Sequence, residues 1–210
     1  MSFNENTNMQ RRSIVAVIAD ILIMACLIAL DRYSKYLAVI YLKDNKPLVL
    51  LKGIFELNYL ENRGAAFGIM QDMKLFFLIV AVLMVLFVLY ALIRLPKGGR
   101  YALMEICLLL IGAGAIGNMI DRVTTEYVVD FFYFVLINFP IFNVADIYVT
   151  VACIVLIIGI LFVYKEEDLK FLSLKTKYAK NNKSDISDIS DISDASDAND
   201  TGVAGDKTTV

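Results

Sequence analysis

The 210 residues are 59% hydrophobic, carry a formal net charge of −2 and include no histidine; the mean hydropathy is +0.65. That apolar content exceeds what a water-soluble domain of this size carries, so the composition excludes an ordinary soluble enzyme and points to the membrane. The missing histidine excludes Ser-His-Asp and Cys-His nucleophilic catalysis and every zinc site built on imidazole.

Four apolar stretches approach the ~20 residues needed to cross a hydrocarbon core: Ile14 to about Leu42, Leu75 to Ile93, Tyr101 to about Ile120, and Ile147 to Tyr164. The expected fold is an all-α membrane protein with four transmembrane helices. The first stretch follows Arg11 and Arg12, as a signal peptide would, but it runs past Leu30 without a small-x-small cleavage site and is read as a permanent helix. An even number of spans puts both termini on one side. The basic N-terminus, the Arg94–Arg100 loop and the Lys165–Lys183 segment mark that side as cytoplasmic. The expected division is a cytoplasmic N-terminus over 1–13, a four-helix membrane domain over 14–168 and a cytoplasmic tail over 169–210.

Asp31 and Lys35 stand one helical turn apart near the far end of the first stretch, close enough to face each other. Asp20, lower in the same stretch, and Glu105, near the start of the third, read as structural or snorkelling groups near the cytoplasmic interface. After the first stretch, Pro47 to Gly64 alternates, with Phe55, Leu57 and Tyr59 on one side and Ile54, Glu56 and Asn58 on the other. This pattern predicts short strands at the outer membrane surface, within a sheet region of about 43–71.

In the third stretch, Gly112 to Gly117 reads G-A-G-A-I-G, a match to the G-x-G-x-x-G dinucleotide fingerprint. That fingerprint requires a preceding strand, a helix opening at the third glycine and an acidic residue ~20 positions on. Here the glycines continue an apolar run, so no nucleotide and no nucleic acid is expected; small residues in a membrane helix let a neighbouring helix or a substrate come close. Asn118, Asp121 and Arg122 follow at once, with Asn118 and Arg122 again one turn apart. Asp121 beside Arg122 reads as a neutralised helix end with a structural role, and membership of a carboxylate pair is its alternative.

Asp130 sits in V-V-D-F-F with no basic neighbour. Asn143 and Asp146 in F-N-V-A-D have the spacing of an N-cap residue and an N3 acid opening the fourth helix. Phe131, Phe132, Tyr133, Phe134, Phe139 and Phe142 suit an interfacial aromatic loop. Ionisable and amide groups at membrane depth are costly, and their gathering marks a functional site.

Cys26, Cys107 and Cys153 lie in apolar stretches and imply no disulfide framework. Residues 184–210 carry seven aspartates against Lys207 in a Ser-Asp repeat, S-D-I three times and then S-D-A twice. The acidic balance belongs to this tail, which is expected to be disordered. It lacks the glycine turn and terminal glutamate of an EF-hand loop.

D-R-Y-S-K, N-R-G-A-A-F-G, G-A-G-A-I-G-N-M-I-D-R, V-V-D-F-F and F-N-V-A-D, in this order across residues 14–164, resemble the lipoprotein signal peptidase (type II signal peptidase) family. Two departures are mild: Arg32 stands where the family usually has glutamine, and Ala113 where it often has glycine. The resemblance implies a membrane aspartyl endopeptidase that cuts bacterial prolipoproteins before the diacylglyceryl-modified lipobox cysteine. Its catalytic aspartates would be Asp130 and Asp146. Asn62, Gly64, Asn118, Arg122 and Asn143 would bind substrate or support the pair, and Asp31, Lys35 and Asp121 would keep the site intact. No metal and no cofactor are implied; the partners would be prolipoprotein signal peptides and membrane lipid. The expected location is the bacterial cytoplasmic membrane, with the site toward the outer leaflet. The glycines would leave room for a signal-peptide helix and two acyl chains. The rivals are a small transporter or proton channel, which also places carboxylates in a bundle, and a non-catalytic assembly protein.

Overall fold

The computed structural model describes residues 13–64, 73–96 and 98–172. The N-terminal dozen residues, the A-A-F-G end of the N-R-G-A-A-F-G motif and the acidic tail lie outside the described residues.

Four helices are long and apolar enough to span a membrane: α1 (Ile14–Leu42), α2 (Lys74–Arg94), α3 (Ala102–Thr124) and α4 (Val144–Phe162). Ser13 opens α1, its hydroxyl accepting from the Ala16 amide. The outer faces of α1, α2 and α4 expose rows of Ile, Leu, Val and Phe, the surface a lipid-facing helix presents. α3 is the central element, packing against the other three, and half of its span is buried. At the end away from the sheet, Val88, Leu92, Met104, Leu108 and Ala152 form the main apolar core.

The strands β1 (Leu48–Leu51), β2 (Phe55–Asn62) and β3 (Val128–Phe134) make one antiparallel sheet in that order. Gly53, at φ 75°, makes the turn between the first two, a backbone position that a side chain would strain. The expected strands after the first helix are thus present, but the sheet is completed by a strand from between α3 and α4. That strand contains V-V-D-F-F, so Asp130 is fixed in a ladder, and Phe131, Phe132, Tyr133 and Phe134 of the expected aromatic loop lie in the strand. Its apolar neighbours Val128, Val129 and Phe131 are buried, which explains why the stretch did not alternate in sequence. Lys43, at the end of α1, reaches Glu61 of β2 at 3.0 Å, and the Tyr59 hydroxyl donates to the same carboxylate at 3.1 Å. These contacts tie the sheet to the first helix.

At the opposite end, Arg100 grips Asp168 with two nitrogens at 2.9 and 2.5 Å. This bidentate contact and the Lys165 amide hold the Asp168 carboxyl at about 2, well below its ordinary value. The grip secures a 3-10 helix, Glu166–Leu172, whose Phe171 enters the main core. The packed unit runs to Leu172.

Candidate active site

The site is assembled where β2, β3, α3 and α4 converge. α4 opens with a full capping box: the Asn143 side chain accepts from the Asp146 amide and the Asp146 carboxylate accepts from the Asn143 amide, the arrangement its spacing predicts. Just before it, Phe142 is laced to β3, its carbonyl accepting from Phe131 and Phe132 at 3.0 and 2.8 Å and its amide donating to Phe132 at 3.1 Å. The lacing sets the start of α4 against the strand that carries Asp130.

On β2, Leu60 stands opposite Asp130 and Asn62 opposite Val128. Asn62 and Asp130 are diagonal neighbours on one face of the sheet, within reach of each other. The two carboxylates are then held symmetrically. Asp130 accepts from Asn62 Nδ2 at 2.8 Å and from Asn143 Nδ2 at 2.6 Å, one amide on each oxygen. Asp146 accepts from Asn118 Nδ2 at 2.8 Å and from the Asn143 backbone at 3.1 Å, again one on each oxygen. Four oxygens thus have four neutral N–H partners and no direct cation. Asp130 lies on the strand, outside the spanning helices, and burial pushes its carboxyl up to about 7, helped by the negative charge of Asp146 and opposed by the amides of Asn62 and Asn143.

Both aspartates face a cavity of about 490 Å³ lined also by Asn62, Gly64 and Arg122 on its polar side. Phe139 to Phe142, Ile147 and Val151 make its apolar side. The Gly64 amide donates to Asn62 Oδ1 at 2.9 Å, turning that side chain's nitrogen toward Asp130. Arg122 lies over the Phe77 ring at 4.9 Å and donates to the Asn118 carbonyl at 3.4 Å. A guanidinium is thereby held at the cavity wall.

Asp31, Lys35 and Asp121 are buried behind the cavity and do not line it. Lys35 Nζ stands 2.9 Å from Asp31 and 2.7 Å from Asp121. Asp121 is not neutralised by its neighbour Arg122, as the sequence suggested; its partners are Lys35 and Arg32 of α1. Asp31 also accepts from the Ala145 amide at 3.0 Å, pinning α4 to α1.

The glycines of α3 serve the first of their two expected uses, the close approach of a neighbouring helix. They are small because other parts of the bundle occupy the space their side chains would fill. A Cβ on Gly114 would lie 2.6 Å from the Ala145 carbonyl oxygen, and one on Gly117 would lie 2.5 Å from Asp31 Oδ2. Gly114 and Gly117 thus admit α4 and the Asp31 carboxylate.

Sequence reasoning missed Thr150, which lines the cavity one turn below Asp146; its i+4 spacing from Asp146 was the available signal. It also missed Phe77, whose aromatic stacking on Arg122 crosses two helices and leaves no local trace. Among the described residues, no three Cys, Asp or Glu side chains gather as a metal-holding group.

Four apolar helices, an antiparallel cap and two amide-held carboxylates on one cavity define a membrane-embedded hydrolase. The chain belongs to the signal peptidase II family, whose sequence pattern matches residues 23–162, and it is a multi-pass membrane peptidase. It is 43% identical over 146 residues to the lipoprotein signal peptidase of Caldanaerobacter subterraneus subsp. tengcongensis, covering 69% of this chain and 96% of that one. It is also 43% identical over 163 residues to the lipoprotein signal peptidase of Clostridium tetani, covering 73% and 99%. A bacterial membrane enzyme solved by the in meso method at 2.3 Å resolution superposes with a TM-score of 0.62 and 30% identity, over 80% of this chain and 97% of that one.

Proposed function

We propose that Asp130 and Asp146 form the catalytic pair of an aspartyl endopeptidase that cuts prolipoproteins just before a diacylglyceryl-modified cysteine. The observation that carries this is the symmetric holding of the two carboxylates, each oxygen satisfied by one neutral N–H, on the wall of a largely apolar cavity. Two carboxylates so placed share one proton, because both ionise together only at high cost. The ionised member takes a proton from a water whose oxygen adds to the scissile carbonyl carbon, while the protonated member donates to the developing oxyanion. Collapse breaks the C–N bond, and the proton taken from water passes to the departing cysteine amine. Arg122 and Asn62 supply donors for the substrate's main-chain carbonyls. The apolar rim from Phe139 to Phe142 suits the signal peptide and the acyl chains. The protein would lie in the bacterial cytoplasmic membrane with both termini cytoplasmic and the sheet and cavity toward the outer leaflet, as the basic segments at the other end suggest.

The direct test is incubation of the purified protein with one prolipoprotein in diacylglyceryl-modified and unmodified forms, followed by mass spectrometry of the products. The modified form should be cut before the cysteine at least tenfold faster; equal cutting of both, or cutting elsewhere, overturns the assignment of substrate. The pH profile gives a second check. A carboxyl raised to about 7 keeps its proton below that pH and loses it above. kcat/KM should therefore fall as pH rises through about 7, with one proton lost; a profile flat from pH 6 to 8.5 contradicts the shared-proton mechanism.

A further inference from the structure

Lys35 is almost wholly buried in α1 and lines no part of the cavity. Its ammonium forms ion pairs with Asp31 Oδ2 at 2.9 Å and Asp121 Oδ2 at 2.7 Å and donates a hydrogen bond to Asn118 Oδ1 at 2.8 Å. The first two contacts, together with Arg32 on Asp121, balance the two carboxylates. The third is different in kind, because it selects which end of an amide faces which way. An asparagine amide offers an acceptor at one end and donors at the other, and a half-turn exchanges them; a lysine has no acceptor at all.

We infer that Lys35 is a positioning residue that sets the polarity of Asn118, the member of the amide relay that reaches Asp146. Holding Asn118 Oδ1 toward α1 commits Asn118 Nδ2 to Asp146, at 2.8 Å. The same Oδ1 accepts from Asn143 Nδ2 at 3.3 Å. Asn143 Oδ1 is meanwhile taken by the Asp146 amide at 3.1 Å, so Asn143 Nδ2 also points at Asp130, at 2.6 Å. Lys35 thus fixes Asn118 and the Asp146 amide fixes Asn143, each in the orientation that presents N–H to a carboxylate. With Asn118 turned over, its NH2 would meet the lysine ammonium and its oxygen would meet Asp146, two like contacts in a buried site. The relay rests on the proposal that Asp130 and Asp146 are the catalytic pair.

The charged groups around Lys35 are Asp31 and Arg32 on its own helix, Asp121 and Arg122 on α3, Asp146 on α4 and Asp130 on β3, the last two being felt at longer range. Removing the lysine alone leaves the cluster with one excess negative charge, so the informative variant is the double substitution D31N/K35M, which restores the charge balance but not the donor. Cleavage of the diacylglyceryl-modified prolipoprotein is measured for the full chain in detergent against pH, with folding followed by thermal unfolding. The expected result is a folded protein with KM unchanged, kcat lowered about 100-fold, as a misplaced catalytic group costs, and the alkaline limb moved to higher pH. A folded double variant with wild-type kcat and limb overturns the inference. If the double variant fails to fold, K35R decides: arginine is also donor-only, so kcat within about tenfold and an unmoved limb support the relay, while a folded K35R with a larger loss of kcat or a moved limb overturns it. Failure of the catalytic assignment looks different, since it appears as cleavage surviving in Asp130→Asn.

Discussion

Asp130→Asn and Asp146→Asn should each lower kcat by about 10³–10⁴-fold while the protein remains folded, the range that loss of a positioned acid or base produces. The substitution is nearly isosteric, so the cavity keeps its shape. Its chemistry changes in two ways. An amide cannot take a proton from water, and its NH2 is set against the N–H groups that Asn118, Asn143 and Asn62 aim at the carboxylate. One amide–amide mismatch of that kind costs about 1–3 kcal/mol, which lowers thermal stability without unfolding the bundle. Asp121→Asn behaves in the opposite sense. Asp121 is gripped by Lys35 and Arg32 behind the cavity, so its loss breaks a buried ion pair, at about 3–5 kcal/mol, and the folded fraction still cuts. Cleavage assays on the three variants, normalised to folded protein by size-exclusion chromatography, separate the cases. If Asp121→Asn is folded and dead while Asp130→Asn cuts, the pair has been misassigned.

What the sequence made legible divides along the range of the forces involved. The four spans follow from local apolar runs, and their observed limits, such as Lys74–Arg94 against an expected Leu75 to Ile93, differ only at helix ends that fray. The capping box of α4 is equally local: Asn143 and Asp146 are three residues apart and bond each other. The i, i+4 pair of Asp31 and Lys35 was visible for the same reason. What spacing did not reveal is every contact between elements. The pairing of β3 with β2 depends on a ladder between residues about 70 positions apart, and the run V-V-D-F-F hid it by being buried on both faces. The partners of Asp121 were misjudged because the nearest cation in sequence, Arg122, points around the helix toward the cavity, while Lys35 and Arg32 arrive from α1. The motifs nevertheless located the site, since each supplies one wall: Asn62 from β2, Asn118 from α3, Asp130 from β3 and Asn143 with Asp146 from α4.

Gly114→Ala is expected to cost about 1–3 kcal/mol of stability and about 100-fold in kcat, because the space for its methyl is occupied by backbone. The added Cβ would stand 2.6 Å from the Ala145 carbonyl oxygen and 2.7 Å from Val149 Cγ2. A side chain can rotate away, but the first turn of α4 cannot: its amides are engaged by Asp31 and by the Asn143 cap. The helix must therefore move as a body, and Ala145 directly precedes Asp146. A displacement of about 1 Å at one carboxylate is enough to uncouple a pair that has to share a proton and a water. Gly112→Ala is the matched control on the same helix. Its Cβ would meet Met24 Cε at 3.1 Å and Val88 Cγ1 at 3.2 Å, and a methionine end yields readily. That variant should lose less than about 1 kcal/mol and keep wild-type kcat. The comparison is read from thermal unfolding and single-turnover cleavage of the same substrate. Equal activity in both variants, with Gly114→Ala folded, would show that the close approach of α3 and α4 serves packing alone and does not set the separation of the two aspartates.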